Sequence, residues 1–469
     1  MLFLGSIVSG LIFALSFPPF NLYYIGWFGL LPGILISYKF KKLSFLIGFL
    51  SGFSFYVFLL SWLFTVSSFF YLLLCLYLSI YWGIFFYLVS KFDYNPFVAA
   101  SIWFFIEILI ENLLTGFPWL TFSLSQATNH YIWKLPQFIG SKGISFFLVF
   151  FNFFLLSIFL KRFKVFTLSL FFLIISFLFF HFYNPELKKN GSIKILLVQP
   201  DVKTSEIRKA ETPLRILTDI TIKNVKKFTP DIVIWPEGSF PDNILCERKI
   251  LKKIKFICQK YRFSLILGTF RKEKNKFYNT ALFLNRGQIE FYDKTHLVPY
   301  GEFIPGGRVK FIKEIFIRYA GYLPEIERGK EIKTFNYKGI GISPLICYEN
   351  IFPYITNKMV KKGGEIFVVI TNDSWFGGSA GPCQHFYHNV LRCMETGRYF
   401  IQCALSGVSG IVSEKGEIVD KINLNEKGVL FVDVPLLSTK TFYVKYGDFS
   451  LFIFSLFITG VYLCRKLRK

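Results

Sequence analysis

Three short stretches carry side chains that do covalent chemistry when a fold brings them together. In Pro344-Leu345-Ile346-Cys347-Tyr348-Glu349-Asn350, a cysteine stands where an apolar run stops. Residues 340–346 read as a buried strand and a helix can start from Ile351, so Cys347 falls at a strand's carboxyl end near a helix amino terminus. Helix-terminal N–H groups and a nearby cation lower a thiol pKa, and the thiolate is the strong nucleophile. In Trp235-Pro236-Glu237-Gly238 the proline ends a second strand and delivers a carboxylate. In Tyr292-Asp293-Lys294-Thr295-His296, which leads to Pro299-Tyr300-Gly301-Glu302-Phe303-Ile304-Pro305, an amine follows a third. Together these form a complete set for acyl transfer: Glu237 to take the thiol proton, Cys347 to attack a carbonyl, and Lys294 to stabilise the oxyanion and hold Glu237 in place. Each alone has a plainer reading, as packing cysteine, solvated acid or surface lysine. Their occurrence at three strand exits framed by Gly and Pro favours a site.

Histidine offers a rival arrangement. His385 and His388 lie three apart on a helical stretch, a spacing suited to a Cys–His pair or to a metal. No third ligand is suitably spaced, so both are expected as core or helix-surface residues, with no metal and no cofactor. The eight cysteines contain no C-x-x-C pair and no disulfide-scaffold spacing.

These strand exits need an α/β domain to position them. Short apolar strands are expected at 195–198, 232–235, 265–268, 281–284, 340–346, 366–371, 400–405, 410–413 and 429–432, with helices near 205–227, 241–261, 353–362 and 384–397. Strands apolar throughout are covered on both faces, and function collects at their carboxyl ends. Residues 190–440 form this domain.

The rest of the chain is of another kind. Hydrophobic residues make up 53% of the sequence, and Phe alone numbers 61, which no water-soluble domain matches. The excess lies in residues 1–183 and 449–464. Spans are expected at 2–17, 23–38, 43–64, 69–89, 96–114, 144–160, 165–182 and 449–464, each near the ~20 residues that cross a bilayer. Lys39, Lys41 and Lys42, then Lys91, then Lys161, Arg162 and Lys164, and finally Arg465, Lys466, Arg468 and Lys469 fall at every second connection. Basic loops stay in the cytoplasm, so seven crossings place the soluble domain outside, on the periplasmic face of a bacterial inner membrane. The net charge of +24 forms no basic stripe and accompanies no recognition motif. It suits anionic lipid headgroups and excludes a nucleic-acid partner. Residues 309–321 place Phe311, Ile312, Ile315, Phe316 and Tyr319 on one face, an amphipathic segment suited to a membrane interface or to a packed core.

The three motifs resemble the Glu–Lys–Cys set of the nitrilase, or carbon–nitrogen hydrolase, superfamily. With seven preceding spans and one following, the chain resembles its bacterial apolipoprotein N-acyltransferase branch. Thr115-Gly116-Phe117-Pro118-Trp119-Leu120, Ser125-Gln126, Thr371-Asn372-Asp373-Ser374-Trp375-Phe376-Gly377, Gln384-His385 and Glu395-Thr396-Gly397-Arg398 extend the likeness. The resemblance implies an α-helical membrane bundle of about eight transmembrane helices joined to an α-β-β-α sandwich. It implies Glu237 as general base, Lys294 as oxyanion stabiliser and Cys347 as nucleophile, supported by Glu302, Tyr348 and Glu349. It also implies a monomer that needs no cofactor and takes an acyl chain from a phospholipid to the α-amine of diacylglyceryl apolipoproteins. A membrane-tethered amidase would use the same three residues and pass the acyl group to water. Pro200-Asp201, after Val198-Gln199, departs from the Gly-Asn type of turn expected in relatives.

Overall fold

The structure, a computed structural model, describes residues 2–202, 211–307, 309–320 and 326–467. They divide into two compact units, Met1–Glu186 with Thr441–Lys469, and Leu187–Lys440.

The first unit is helical: α1 (Leu2–Ala14), α2 (Leu31–Lys39), α3 (Ser44–Leu59), α4 (Ser68–Lys91), α5 (Pro96–Asn112), α6 (Lys134–Phe159) and α7 (Phe163–Phe182), with the chain returning as Phe442–Tyr446 and Phe449–Leu467. Among the described residues, five helices are long and apolar enough to cross a bilayer. The expected span at 23–38 is not one helix. A 3-10 turn, Tyr23–Trp27, gives way to α2 only at Leu31. Free backbone groups are costly in lipid, and Asn152 of α6 covers this break, its amide donating to Gly26 O and its oxygen accepting from Leu30 N, both at 3.1 Å. Helix α6 begins ten residues before the expected 144, at Lys134, and is kinked at Gly140, whose φ of 72° and closeness to the Tyr443 ring leave no room for a side chain. Just past the kink, the buried Lys142 amine meets Glu111 at 2.5 Å and Asp448 at 2.9 Å, tying α6 to α5 and to the start of the C-terminal helix. In the 115–126 region, Trp119 packs on Trp62, and Gln126 donates to Tyr23 O while accepting from Trp27 Nε1.

The second unit holds two six-stranded sheets. The first has the order β12-β1-β2-β3-β4-β5 and the second β11-β10-β9-β8-β7-β6. The strands are β1 (Lys189–Gln199), β2 (Ile232–Ile234), β3 (Ser264–Glu273), β4 (Lys276–Asn285), β5 (Gln288–Asp293), β6 (Phe335–Tyr337), β7 (Ile340–Ile346), β8 (Gly364–Thr371), β9 (Tyr399–Ala404), β10 (Ser409–Val412), β11 (Ile418–Ile422) and β12 (Gly428–Leu437). Each sheet has a parallel trio at its centre, β1-β2-β3 and β7-β8-β9, flanked by antiparallel strands. Helices α8 (Glu211–Phe228) and α9 (Arg248–Tyr261) supply Leu217, Val225, Ile254 and Ile257 to the core over the first sheet. Two others, α11 (Pro353–Lys361) and α12 (Gly381–Thr396), bury their apolar faces beside the second. The sheets meet face to face. The Cys403 thiol on β9 reaches Val198 O and Ile234 O at 3.3 and 3.4 Å, and Gln199 of β1 bonds Ser409 of β10. All eight cysteines are free.

Strands β6 and β11 have no counterpart among the expected strands, β5 was marked only by its exit at Tyr292-Asp293, and the start of the helix expected at 205–227 lies outside the described residues. Helix α10 (Lys310–Ala320) exposes Phe311 and Ile317. The side chains of Ile312, Ile315, Phe316 and Tyr319 lie outside the described residues. Asp201 takes a positive φ of 48°, with its carboxylate accepting from the Ser406 hydroxyl.

Candidate active site

Strand β2 ends at Ile234, and the next residues turn sharply so that Gly238 has a φ of 69°, a conformation glycine adopts without cost. The turn is stitched to β3 by Trp235 N to Ile266 O, Gly268 N to Pro236 O and Phe240 N to Gly268 O. Gly268 makes this closeness possible, since a Cβ there would lie 2.5 Å from Glu237 Cα. The half-buried Glu237 carboxylate accepts from Asn279 Nδ2 at 2.7 Å and from the Asn372 backbone N at 2.8 Å.

Lys294 follows directly on Asp293, the last residue of β5, which Arg271 clamps through Nε and Nη2 and Thr280 through its hydroxyl. Its backbone N donates to Asn279 O. Its amine, 1% exposed, sits on both Glu302 oxygens at 3.0 and 2.9 Å. Asn279 Nδ2 also reaches Glu302 Oε1 at 2.9 Å, so one amide links Glu237 to the carboxylate that holds Lys294. Val298 N fixes the other Glu302 oxygen.

Cys347 follows β7 with a φ of 51°. This left-handed conformation costs a non-glycine residue about 1–2 kcal/mol and recurs at functional sites. Two residues on, Glu349 is fully buried and accepts five hydrogen bonds. Oε1 takes them from Tyr292 OH, Thr295 N, Thr295 Oγ1 and His296 N, and Oε2 from Ile346 N. One carboxylate thus binds the residues just after Lys294 to the residue just before Cys347. Tyr348 is buried, its ring 5.9 Å from that of His296 and 5.2 Å from that of Phe352.

The electrostatics differ from the sequence expectation for the thiol. Burial, and then the Glu237 carboxylate, push the Cys347 thiol far above its ordinary value, with Lys294 and a hydrogen bond from Thr371 opposing them. The turn after Cys347 is a five-residue 3-10 helix, and neither it nor Lys294 offsets the desolvation. The Cys347 thiol therefore rests neutral, and attack by its sulfur would need a base. Burial raises Glu237 as well, opposed by Lys294 and reinforced by Glu302, which gives it more affinity for a proton than a solvated acid has. Burial works to lower Lys294, but Glu302 leads the nearby acids in holding it above its usual value, so it stays an ammonium.

Two groups near Cys347 come from outside the expected set. Asp373 and His385, both fully buried, pair at 3.0 Å, and His385 Nε2 lies 3.1 Å from Cys347 O. The Cys347 sulfur, an Asp373 oxygen and a His385 ring nitrogen fall within 4.8 Å of one another, the single such group of potential metal donors among the described residues. Both ring nitrogens already face oxygen partners, so no lone pair is directed at an ion. His385, expected as a core or helix-surface residue, is in the core, and nothing in its spacing pointed to a role there. Asn279 was also missed. It lies in β4 before the apolar run expected at 281–284, among Lys276, Tyr278 and Thr280, so no apolar context marked its amide.

Residues 207–442 match the carbon–nitrogen hydrolase family model, and residues 9–154 match that of the apolipoprotein N-acyltransferase N-terminal domain. The apolipoprotein N-acyltransferase of Wigglesworthia glossinidia brevipalpis is 30% identical over 97% of this chain and 96% of its own length. The chain belongs to the apolipoprotein N-acyltransferase family. A relative of the same name from Aquifex aeolicus is 29% identical, covering 91% of this chain and 97% of its own. Among solved structures, Saccharomyces cerevisiae Nit3, a member of branch 10 of the nitrilase superfamily, matches 53% of this chain and 91% of its own, with 17% identity and a TM-score of 0.40.

Proposed function

We infer that this protein is an apolipoprotein N-acyltransferase. It moves an acyl chain from a membrane phospholipid, through a thioester on Cys347, to the α-amine of the diacylglyceryl-modified N-terminal cysteine of a lipoprotein. The observation that carries the reading is the buried network in which Asn279 joins Glu237 to Glu302 and Glu302 holds Lys294, beside a neutral thiol. Glu237 removes the proton from Cys347 as sulfur attacks the ester carbonyl, and Lys294 meets the oxyanion. Collapse breaks the ester bond, and the departing lysophospholipid alkoxide takes the proton from Glu237. The acceptor amine then attacks the thioester, Glu237 takes the amine proton, and the thiolate leaves and is reprotonated. A thioester acylates an amine without an external energy source. Glu302 and Glu349 hold the strand exits that carry Lys294 and Cys347, and Tyr348 packs behind the nucleophile.

The match of residues 9–154 to the acyltransferase N-terminal family supports transfer to an amine over an amidase that passes the acyl group to water. We place the protein in the bacterial inner membrane with eight spans, catalytic residues 190–440 on the periplasmic side and a cytoplasmic basic tail, as the alternating loop charges require. It acts as a monomer. The test is reconstitution in phospholipid vesicles with a diacylglyceryl peptide. N-acylation by wild type and none by Cys347→Ala supports the reading, and free fatty acid with an unmodified peptide contradicts it.

A further inference from the structure

His385 lies near the start of α12, its ring buried between two oxygens. Nε2 is 3.1 Å from the Cys347 carbonyl and Nδ1 is 3.0 Å from Asp373 Oδ1. A carbonyl has no proton to give, and Asp373 Oδ1 already accepts from the Thr371 hydroxyl at 2.8 Å. A ring flanked by two acceptors must donate at both nitrogens, which makes it an imidazolium. A neutral ring would turn a bare lone pair toward one of those oxygens.

We propose that His385 and Asp373 form an imidazolium–carboxylate pair that clamps the backbone carbonyl of Cys347, making both of them positioning residues for thioester formation. The proposal rests on Cys347 being the acylated nucleophile. Cys347 holds a left-handed backbone, and a charged donor on its carbonyl fixes that conformation and with it the direction of the thiol. A histidine acting as base would need a free ring nitrogen facing sulfur. Here both nitrogens are engaged elsewhere, which leaves the proton to Glu237.

The surroundings favour the charged ring. Burial opposes it, but the Asp373 carboxylate from the β8 exit, the Cys347 carbonyl from the β7 exit and Glu237 from the β2 exit together hold the His385 pKa above its ordinary value. Asp373 is shaped for this role. Its backbone N is bonded to Ser406 O, and Gly407 leaves space beside its carboxylate that a Cβ would enter at 2.9 Å.

The experiment follows single-turnover thioester formation from phospholipid by intact-protein mass, from about pH 5.5 to about pH 8.5, around the ordinary histidine value. In Asp373→Asn the amide oxygen still accepts from Nδ1, but the charge that retains the second ring proton against burial is gone, so the ring gives up that proton at a pH within the range followed. Below that pH, Nε2–H still holds Cys347. Above it the clamp opens, and the rate falls roughly tenfold per pH unit. Wild type shows no such alkaline limb. Adding His385→Gln to Asp373→Asn supplies an amide donor at every pH and abolishes the limb. A uniform loss at all pH values in Asp373→Asn marks a merely structural role and overturns the proposal. If Asp373→Asn does not fold, His385→Gln is compared with His385→Leu. Glutamine keeping the rate within about tenfold while leucine loses about a hundredfold supports the clamp, and equal losses overturn it. Absence of thioester on wild type refutes the assignment of Cys347 itself, and the clamp falls with it.

Discussion

Replacing Glu349 with glutamine isolates the element that sets Lys294 and Cys347 at a fixed separation. Its Oε1 accepts four hydrogen bonds and its Oε2 one, from Ile346 N. In Glu349→Gln the amide oxygen takes the crowded position, so the new NH2 faces the Ile346 N–H. One buried donor then has no acceptor, at about 1–3 kcal/mol. The other four bonds change from charge-assisted to neutral and lose roughly half their strength. At about 1.5–3 kcal/mol per charge-assisted bond the gross loss is about 4–9 kcal/mol, offset in part because a neutral amide costs less to bury than a carboxylate, and it is a large share of the ~5–15 kcal/mol that holds a domain together. The donors freed or weakened include the N–H groups of Thr295, His296 and Ile346, so the misplacement falls on the residues beside Lys294 and Cys347. Steady-state acyl transfer in vesicles should show kcat reduced about a hundredfold with KM little changed, and the thermal midpoint of the detergent-purified protein should drop. A variant that keeps both the wild-type midpoint and a kcat within about twofold would rule out this role for Glu349.

Further outcomes follow from other parts of the molecule. Because burial raises Glu237 and a base must be ionised to act, the rate of thioester formation rises with pH through a pKa above the ordinary carboxylate range. Glu237→Gln should remove that limb and cost about 10²–10⁴ in rate, read by single-turnover mass spectrometry. Gly268→Ala places a Cβ 2.5 Å from Glu237 Cα, and should lower kcat while the circular dichroism spectrum stays unchanged. Lys142→Met leaves the nearly buried Glu111 and the partly exposed Asp448 without their cation, and should destabilise the helical unit by up to about 3–5 kcal/mol in a thermal unfolding assay.

The strand exits were legible because physics marks them in the sequence. Strands β2, β7, β8 and β9 are covered on both faces and read as plain apolar runs, and Pro236, Gly238 and the polar residues after each run announce the turns. Strand β11 and the body of β5 were hidden because most of their residues stay partly exposed, so Gln288–Asp293 and Ile418–Ile422 show no apolar run. The break at 27–31 in the first unit was hidden for the opposite reason. Its apolar composition is continuous, and the amide that satisfies it, Asn152, is more than a hundred residues away. The same holds for Asn279, Asp373 and His385. Their role lies in hydrogen bonds to groups on other elements, one of them a backbone carbonyl, and such contacts leave no spacing to read. The expected thiolate failed because helix-terminus and cation arguments count attraction and omit desolvation, which is the largest influence on Cys347.

In the proposed mechanism Cys347 carries the acyl group and hands it to an amine. Intact-protein mass spectrometry after incubation with phospholipid, wild type beside Cys347→Ala, tests it most directly. A hydroxylamine-sensitive gain of one acyl chain is expected on wild type alone, discharged quickly by a diacylglyceryl peptide with a free amine and slowly by water. An acyl adduct that persists in Cys347→Ala, or a folded wild type that never gains one, would contradict it.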